Sequence, residues 1–151
     1  MTATPRCAPT TADYIAHNAK ITAEFRANGG HCGGRWEGNP MLILTMTGAK
    51  SGRHLSTPLT YHRDGEAYVV MASAGGKPTA PNWYHNVTAN PDVEIEVAVD
   101  GELRTMPALA AELVGDERDR VFADVVAAMP RFGEYESKAG RTVPLIGITP
   151  T

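Results

Sequence analysis

Two Asp-Gly pairs, Asp64-Gly65 and Asp100-Gly101, each separate two runs of residues that favour β-strands. An Asp-Gly pair supplies the positive φ angles that a type I′ hairpin turn requires, so each pair predicts two neighbouring antiparallel strands. The run VEIEVAV at 93–99 precedes the second pair and alternates apolar with mostly charged residues. Such alternation predicts one buried strand face and one face in water. The middle of the chain therefore predicts a largely antiparallel sheet.

A helical pattern lies before these strands. Tyr14, Ile21 and Phe25 fall on one stripe of a helix at 11–28, with a polar exception at Asn18. The glycines that follow suit the left-handed conformation at a helix end. Because the stripe is narrow, we expect this helix to be a lid or a peripheral contact rather than a core element. We expect it to bind a membrane surface only weakly.

Two more helical patterns follow. The segment PNWYHNVTANP begins at Pro81 and ends at Asn90-Pro91, which predicts a short helix. The segment GDERDRVFADVVAAMP has Asp116 as its predicted N-cap and an apolar face that ends before Pro130. The run TVPLIGITP predicts a last strand.

About six antiparallel strands with an N-terminal helix and peripheral helices indicate an α+β fold built on a small barrel. The chain has no GxGxxG, and its strands do not alternate with long crossover helices, which excludes a Rossmann domain. Its 151 residues match one domain, 1–151, with a helical segment at 1–28 and a glycine-rich loop at 29–40.

Composition excludes several classes of function. A net charge of −3 gives no general attraction to nucleic acid, so an anion site requires a local cluster of cations. Cys7 and Cys32 lie far apart and are interpreted as reduced thiols, and the five histidines show no metal-ligand spacing, so no metal is expected. No apolar run approaches the ~20 residues of a membrane span, and a cytoplasmic protein is expected.

The segment GAKSGRHLSTPL follows the apolar run MLILTMT. Ala49 separates Gly48 from Lys50-Ser51, which is incompatible with a Walker loop. Lys50 and Arg53 nevertheless supply positive charge, and Ser51 supplies a hydroxyl. The residues alone leave two readings open, a structural polar turn and a phosphate cradle.

The segment MASAGGKPTAPNWYHN is the second candidate. Its glycines allow a ligand to approach the backbone, and Trp83 and Tyr84 offer flat faces for a ring system. A glycine turn followed by a helix that buries its aromatic residues explains the same pattern equally simply.

Four segments occur together in the order typical of one family: LILTMTGAKSGRHLSTPL, YVVMASAGGKP, PNWYHNVTANPDVEIEV and RTVPLIGI. From about residue 12 onward the chain resembles the deazaflavin-dependent nitroreductases, reductases that use coenzyme F(420), an 8-hydroxy-5-deazaflavin. The resemblance implies a split β-barrel, shared with FMN-binding oxidoreductases, with the coenzyme in a groove. FMN is the weaker alternative.

The resemblance also implies the coenzyme contacts. A turn holds the phosphate, the following strand adds contacts, a glycine-rich segment lies beside the deazaflavin ring, and a short helix completes the pocket. The matching positions are Ala49, Lys50, Ser51, Gly52, Leu55, Ser56, Thr57, Pro58, Leu59, Met71, Ala72, Ser73, Ala74, Asn82, Trp83, Tyr84, His85 and Asn86. This chain departs from the family at Ala49, Leu55 and Ala74, where basic residues are common, so it has fewer cations for the coenzyme.

A deazaflavin donates a hydride rather than single electrons, because carbon replaces N5 of the flavin. Ser73 is the candidate polar group near the ring or the acceptor, and Tyr135 is the candidate to orient the acceptor or donate the proton. Ser73 is equally compatible with a strand-end residue, and Tyr135 with a surface aromatic.

The acceptor implied by the resemblance is a quinone or an α,β-unsaturated carbonyl, and less readily a nitro compound. Thr60, Met129 and Phe132 stand where nitro-activating members carry tyrosines. Met129, Phe132 and Tyr135 are expected to cover the acceptor. The competing hypothesis is a protein that binds the coenzyme without turnover. A monomer and a homodimer are both compatible with the sequence, as is contact with the inner face of the cell membrane.

Overall fold

Six antiparallel strands close into a barrel in the order β1-β2-β3-β6-β5-β4. The computed structural model describes residues 11–30, 40–73 and 80–151. The strands are β1 (Met41–Thr47), β2 (His54–Asp64), β3 (Ala67–Met71), β4 (Asp92–Val99), β5 (Glu102–Glu112) and β6 (Leu145–Pro150). The helices are α1 (Thr11–Ala27), α2 (Asn82–Ala89), α3 (Gly115–Ala128) and α4 (Arg131–Ala139). The predicted antiparallel barrel with an N-terminal helix and peripheral helices is confirmed.

The two Asp-Gly pairs form different turns. Asp100 and Gly101 have φ angles of 52° and 82° and connect β4 to β5, as a type I′ turn requires. The type I′ prediction is wrong at Asp64-Gly65, because Asp64 pairs with Ala67 and remains in β2. The turn residues there are Gly65 and Glu66, and only Gly65 has a positive φ, which fits a type II′ turn.

Alternate residues of the strands fill the barrel. Val93, Ile95 and Val97 of β4 are buried inward, as the alternation predicts. Trp83 and Val87 of α2 pack into the same cluster, so α2 is attached to the barrel core. The other strand residues of this cluster are Leu42, Leu44, Met46, Tyr68, Val70, Ala108, Ala110, Ile146 and Ile148.

A second cluster lies on the opposite face of β3 and β6, where α3 and α4 pack. Val69 and Met71 of β3 contribute to it, as do Val121, Val125 and Phe132. The second helix of this pair, α4, was not predicted. Gly133 lies inside α4, where a Cβ would be 3.4 Å from Val126 of α3, an ordinary van der Waals contact.

The N-cap of α3 is Val114, with no side-chain hydrogen bond, so the prediction of Asp116 is wrong. The N–H of Leu113 donates to the carbonyl of Leu145 at 2.9 Å and holds the chain on the barrel up to that residue. The helix begins at Gly115, soon after that contact, and Asp116 lies in its first turn, where its charge favours the helix dipole.

The expectation that α1 is a lid or a peripheral contact rather than a core element is also wrong, because two of its residues belong to a core cluster. Phe25 is fully buried and packs with Ile21 against Met41 and Ile43. The helix therefore covers one outer side of the barrel. The predicted helix end is confirmed, since Gly29 and Gly30 have positive φ angles. Several features named from the sequence lie outside the described residues. They are the side chain of Tyr14, the residues Cys7, His31 and Cys32, and most of the predicted loop at 29–40.

Candidate functional site

Residues 48–53 form a closed turn between β1 and β2. The N–H of Gly48 donates to the carbonyl of Arg53 at 2.8 Å, and the N–H of Gly52 donates to the carbonyl of Gly48 at 3.0 Å. Gly52 has a φ of 69°, a conformation that favours glycine. These two bonds fix the path of the 48–53 turn while Lys50 remains exposed.

Ser51 is oriented by its own turn. Its Oγ accepts the N–H of Arg53 at 3.1 Å, so the hydroxyl proton stays available to a ligand. A Cβ at Gly48 would lie 2.5 Å from that Oγ, which shows how closely the hydroxyl approaches the backbone. The glycine at 48 therefore permits the position of Ser51.

The 48–53 turn offers donors on one short stretch of backbone. Among the described residues, the N–H groups of Lys50 and Ser51 have no protein acceptor, whereas those of Gly48, Ala49, Gly52 and Arg53 do. Two backbone donors, a hydroxyl and an ammonium are suited to an anion with several oxygens. The turn can therefore hold a phosphate.

Helix α2 contacts this turn directly. The N–H of Ala49 donates to Oδ1 of Asn86 at 3.0 Å. At the helix end, Nδ2 of Asn90 is 3.4 Å from the carbonyl of Thr47. The structure thus brings together two segments that the family resemblance implicates, the turn at 49–52 and the helix residue Asn86.

The other candidate coenzyme-binding residues of α2 have different surroundings. Trp83 is 8% exposed and belongs to the barrel core, which leaves little of its ring for a ligand. The hydroxyl of Tyr84 donates to Glu112 at 2.5 Å, and this bond, together with burial, raises the pKa of Tyr84. Asn82 and His85 are exposed.

The candidates at 55–59 lie in β2, paired with β1. Because alternate residues of a strand face opposite sides, Leu55, Thr57 and Leu59 share one face and Ser56 and Pro58 the other. Side chains from all five positions cannot reach one ligand from a single face. If all five residues contact the coenzyme, some of them must therefore do so through their main-chain atoms.

The segment at 71–73 continues from β3 and is almost completely buried. Ser73 is 5% exposed. The N–H of Ala72 donates to the carbonyl of Pro144 at 2.9 Å. Nη2 of Arg141 donates to the carbonyls of Ala72 and Ser73 at 3.1 and 3.3 Å. The candidate residue Ala74 lies outside the described residues.

Arg141 is a residue that sequence reasoning missed. It lies 69 positions from Ala72, and no local pattern marks it. The only available signal was its place just after Gly140, which ends α4 with a φ of 65°. A guanidinium can donate to two carbonyls at once, which is the role Arg141 has in the fold.

Tyr135 lies on α4, and its ring meets that of Phe132 edge to face at 5.4 Å. Met129 and Phe132 are 9% and 6% exposed and belong to the second cluster, as Met71 does, and their contact with an acceptor stays a prediction. Apolar packing of α3 and α4 uses both side chains. Tyr135 is only partly buried, and among the described residues no hydrogen bond joins it to Ser73.

Thr60 is buried, and its Oγ1 donates to Sδ of Met41 at 3.1 Å.

A buried arginine of α3 joins α4 to the segment just before β6. Nη2 of Arg118 donates to Glu136 at 2.6 Å and to the carbonyl of Val143 at 2.7 Å. The same Glu136 oxygen accepts the N–H of Val143 at 2.9 Å. This network was not predicted, and it sets the position of the helix that carries Tyr135.

No group of three His, Cys, Asp or Glu side chains that could hold a metal occurs in the described parts of the chain. Among the helices described, none is both long and apolar enough to cross a membrane.

The chain is similar to proteins of one family. The family model described as F(420)H(2)-dependent quinone reductase matches residues 18–150. A Mycobacterium tuberculosis protein named F(420)H(2)-dependent quinone reductase is 39% identical over 130 residues, which cover 84% of this chain and 85% of that protein.

Two solved structures agree with this similarity. One, described as an F(420)H(2)-dependent reductase, has 37% identity and a TM-score of 0.63, and the match covers 72% of this chain and 93% of that one. Another, described as a domain-swapped dimer, has 33% identity and a TM-score of 0.65 over 92% of this chain and 99% of that one.

Proposed function

Because the chain belongs to the F(420)H(2)-dependent quinone reductase family, we propose that it reduces a quinone with hydride from coenzyme F(420), using the turn and strand end described above. The chain is an oxidoreductase, and F(420)H(2) is its hydride donor. FMN has no support among the relatives. A bound deazaflavin supplies a hydride, and a proton must follow it to convert the quinone to the hydroquinone.

The donor set of the 48–53 turn is the observation that carries the proposal. The N–H groups of Lys50 and Ser51 have no acceptor among the described residues, and the Ser51 hydroxyl and the Lys50 ammonium lie on the same exposed stretch. These groups fit the coenzyme phosphate, because each provides a donor or a positive charge and none of them is a carboxylate. We assign phosphate binding to this turn.

The 71–73 segment suits the ring end of the coenzyme. Met71, Ala72 and Ser73 are buried and mostly apolar, and the carbonyls of Ala72 and Ser73 are occupied by Arg141. A segment whose carbonyls are already bound by an arginine can pack against a flat ring and exclude water from the site of hydride transfer. Ser73 is assigned to the ring or acceptor side, and Tyr135 to orienting the acceptor or delivering the proton.

Titration with the oxidised coenzyme and with FMN, followed by anaerobic assays of F(420)H(2) oxidation, tests the proposal. We expect binding of F(420) in preference to FMN, and turnover with menadione. Cyclohexenone and a nitroaromatic compound test the proposed ene activity and the weaker nitro activity. Binding of F(420) without oxidation of F(420)H(2) by any acceptor would instead support a carrier.

Two finer properties are part of the proposal. The domain-swapped relative favours a homodimer over a monomer, which light scattering would distinguish. A weak contact with an anionic membrane has less support. Arg26 of α1 is already paired with Glu96 at 2.9 Å, which leaves Lys20 as the other cation of residues 16–27.

A further inference from the structure

We infer that Asn86 is a positioning residue that holds the 48–53 turn in the geometry that binds the coenzyme phosphate, acting through the N–H of Ala49. The inference rests on the proposed function of the turn. It differs from the family resemblance, which places Asn86 among the residues that contact the coenzyme.

The hydrogen bond fixes the orientation of the Asn86 amide. The N–H of Ala49 requires an acceptor, and the side-chain oxygen of asparagine accepts whereas its NH₂ group only donates. Oδ1 at 3.0 Å is therefore directed at the turn. Asn86 is half-buried, and its oxygen is committed to a residue 37 positions away.

The bond decides which donors the turn presents. Asn86 takes the N–H of Ala49, and the next two N–H groups, those of Lys50 and Ser51, are left for a ligand. Without this acceptor, the described bonds that still hold the turn would be those of Gly48 and Gly52 and the bond from Arg53 to Ser51, all of them within the turn itself. The two free donors would then lose their fixed direction, and a phosphate site depends on donors that are already oriented.

Asn86 is well placed to restrain the turn because α2 is itself anchored. Trp83 and Val87, on the neighbouring side of the helix, are buried in the barrel core. A positioning side chain is effective only when its own backbone is fixed. Asn90 adds a second and longer contact to the carbonyl of Thr47.

Asn86→Ala is the decisive variant, and Asn28→Ala is its matched control. Nδ2 of Asn28 donates to the carbonyl of Glu24 at 3.0 Å near the end of α1, so the control also removes one bond between an asparagine side chain and the backbone. Amide hydrogen exchange and ¹⁵N relaxation are measured without coenzyme. Affinity for oxidised F(420) and steady-state kinetics with menadione are then measured for the same proteins.

For Asn86→Ala we expect faster exchange at Ala49 and greater mobility of the Lys50 and Ser51 amides. The Kd for F(420) should rise about five- to tenfold, the ratio that corresponds to one hydrogen bond, while kcat at saturating coenzyme stays within about twofold. Asn28→Ala should change none of these quantities. Asn86→Asp keeps an acceptor oxygen and should restore slow exchange at Ala49.

Three results would overturn the inference. Weaker F(420) binding with unchanged Ala49 exchange would make Asn86 a direct ligand. A mobile turn with unchanged F(420) affinity would show that its geometry is unimportant. Fast exchange of the Ala49 amide in Asn86→Asp would show that the acceptor oxygen of residue 86 is not what orders the turn. Failure of wild-type protein to bind F(420) would instead overturn the proposed function, and the exchange data would still report whether Asn86 orders the turn.

Discussion

The 48–53 turn and the 71–73 segment, which we propose bind opposite ends of one coenzyme, are built in contrasting ways. The turn is exposed from Ala49 onward and leaves the N–H groups of Lys50 and Ser51 without a protein acceptor in the described chain. The 71–73 segment is buried, and the carbonyls of Ala72 and Ser73 are bound by Arg141.

This contrast fits what the proposed assignment requires of each segment. A phosphate is recognised by donors and positive charge, so unpaired N–H groups in contact with solvent are useful there. A ring that transfers hydride needs a dry and shaped surface, so unpaired polar groups there would cost free energy and admit water. The barrel provides both kinds of surface, because β1 ends in an exposed turn and β3 continues into a buried segment.

Removing the Arg141 side chain, which binds the carbonyls of the 71–73 segment, should have the largest effect on stability and turnover. Arg141→Ala leaves the carbonyls of Ala72 and Ser73 without their donor, and we expect a loss of about 1–3 kcal/mol in the free energy of unfolding. Menadione turnover should fall at least about tenfold because the ring surface becomes mobile. Denaturant unfolding and steady-state kinetics measure this. Arg104→Ala, at an exposed position of β5, is the control. Equal losses of stability and turnover in Arg141→Ala and Arg104→Ala would contradict the proposed difference between the 71–73 segment and the 48–53 turn.

Removing the Lys50 and Ser51 side chains from the turn should affect affinity and leave stability unchanged. Lys50→Ala with Ser51→Ala removes a charge and a hydroxyl from the surface, and we expect the Kd for F(420) to rise about 10- to 100-fold. The melting temperature should stay within about 1 °C, because no core volume is lost. Fluorescence quenching measures the Kd. The adjacent exposed pair Ser137 and Lys138, changed to alanine together, is the control. An unchanged Kd would remove the turn from the phosphate site.

Tyr135→Phe tests whether α4 belongs to the acceptor side. If the hydroxyl orients the quinone or delivers the proton, kcat with menadione should fall about tenfold while the Kd for F(420) does not change. Tyr61→Phe, which removes a half-buried hydroxyl from β2, is the matched control. A loss confined to coenzyme affinity would place Tyr135 elsewhere.

The smallest expected effect is a pH dependence of the free energy of unfolding that arises from Tyr84 of α2. The hydrogen bond to Glu112 is the main factor that raises the pKa of Tyr84 in the folded protein above its usual value of 10. Its contribution to stability is therefore complete below pH 10 and is lost as the pH rises through the raised pKa of the folded state. Because Tyr84 is only half-buried and its partner Glu112 is exposed, we expect less than about 1 kcal/mol. Tyr84→Phe should flatten this dependence in urea unfolding above pH 10, and an unchanged slope would contradict the assignment.

Local patterns were sufficient for most of the barrel. The alternation in VEIEVAV predicted the buried face of β4, and Asp100-Gly101 predicted a turn that has the expected φ angles. Helix α2 begins and ends between its two prolines as predicted. These features depend on backbone preferences and side-chain periodicity over a few residues, which a sequence displays directly.

The sequence by itself determined the strands, three of the helices and, through the family resemblance, which segments to examine. Only the tertiary structure decided that α1 covers the barrel, that Phe132 is a core residue, and that Asn86 and Arg141 support the 48–53 turn and the 71–73 segment. The contacts of Asn86 and Arg141 span 37 and 69 positions. Such contacts exist only once closure of the barrel brings distant backbone together, so no local preference predicts them.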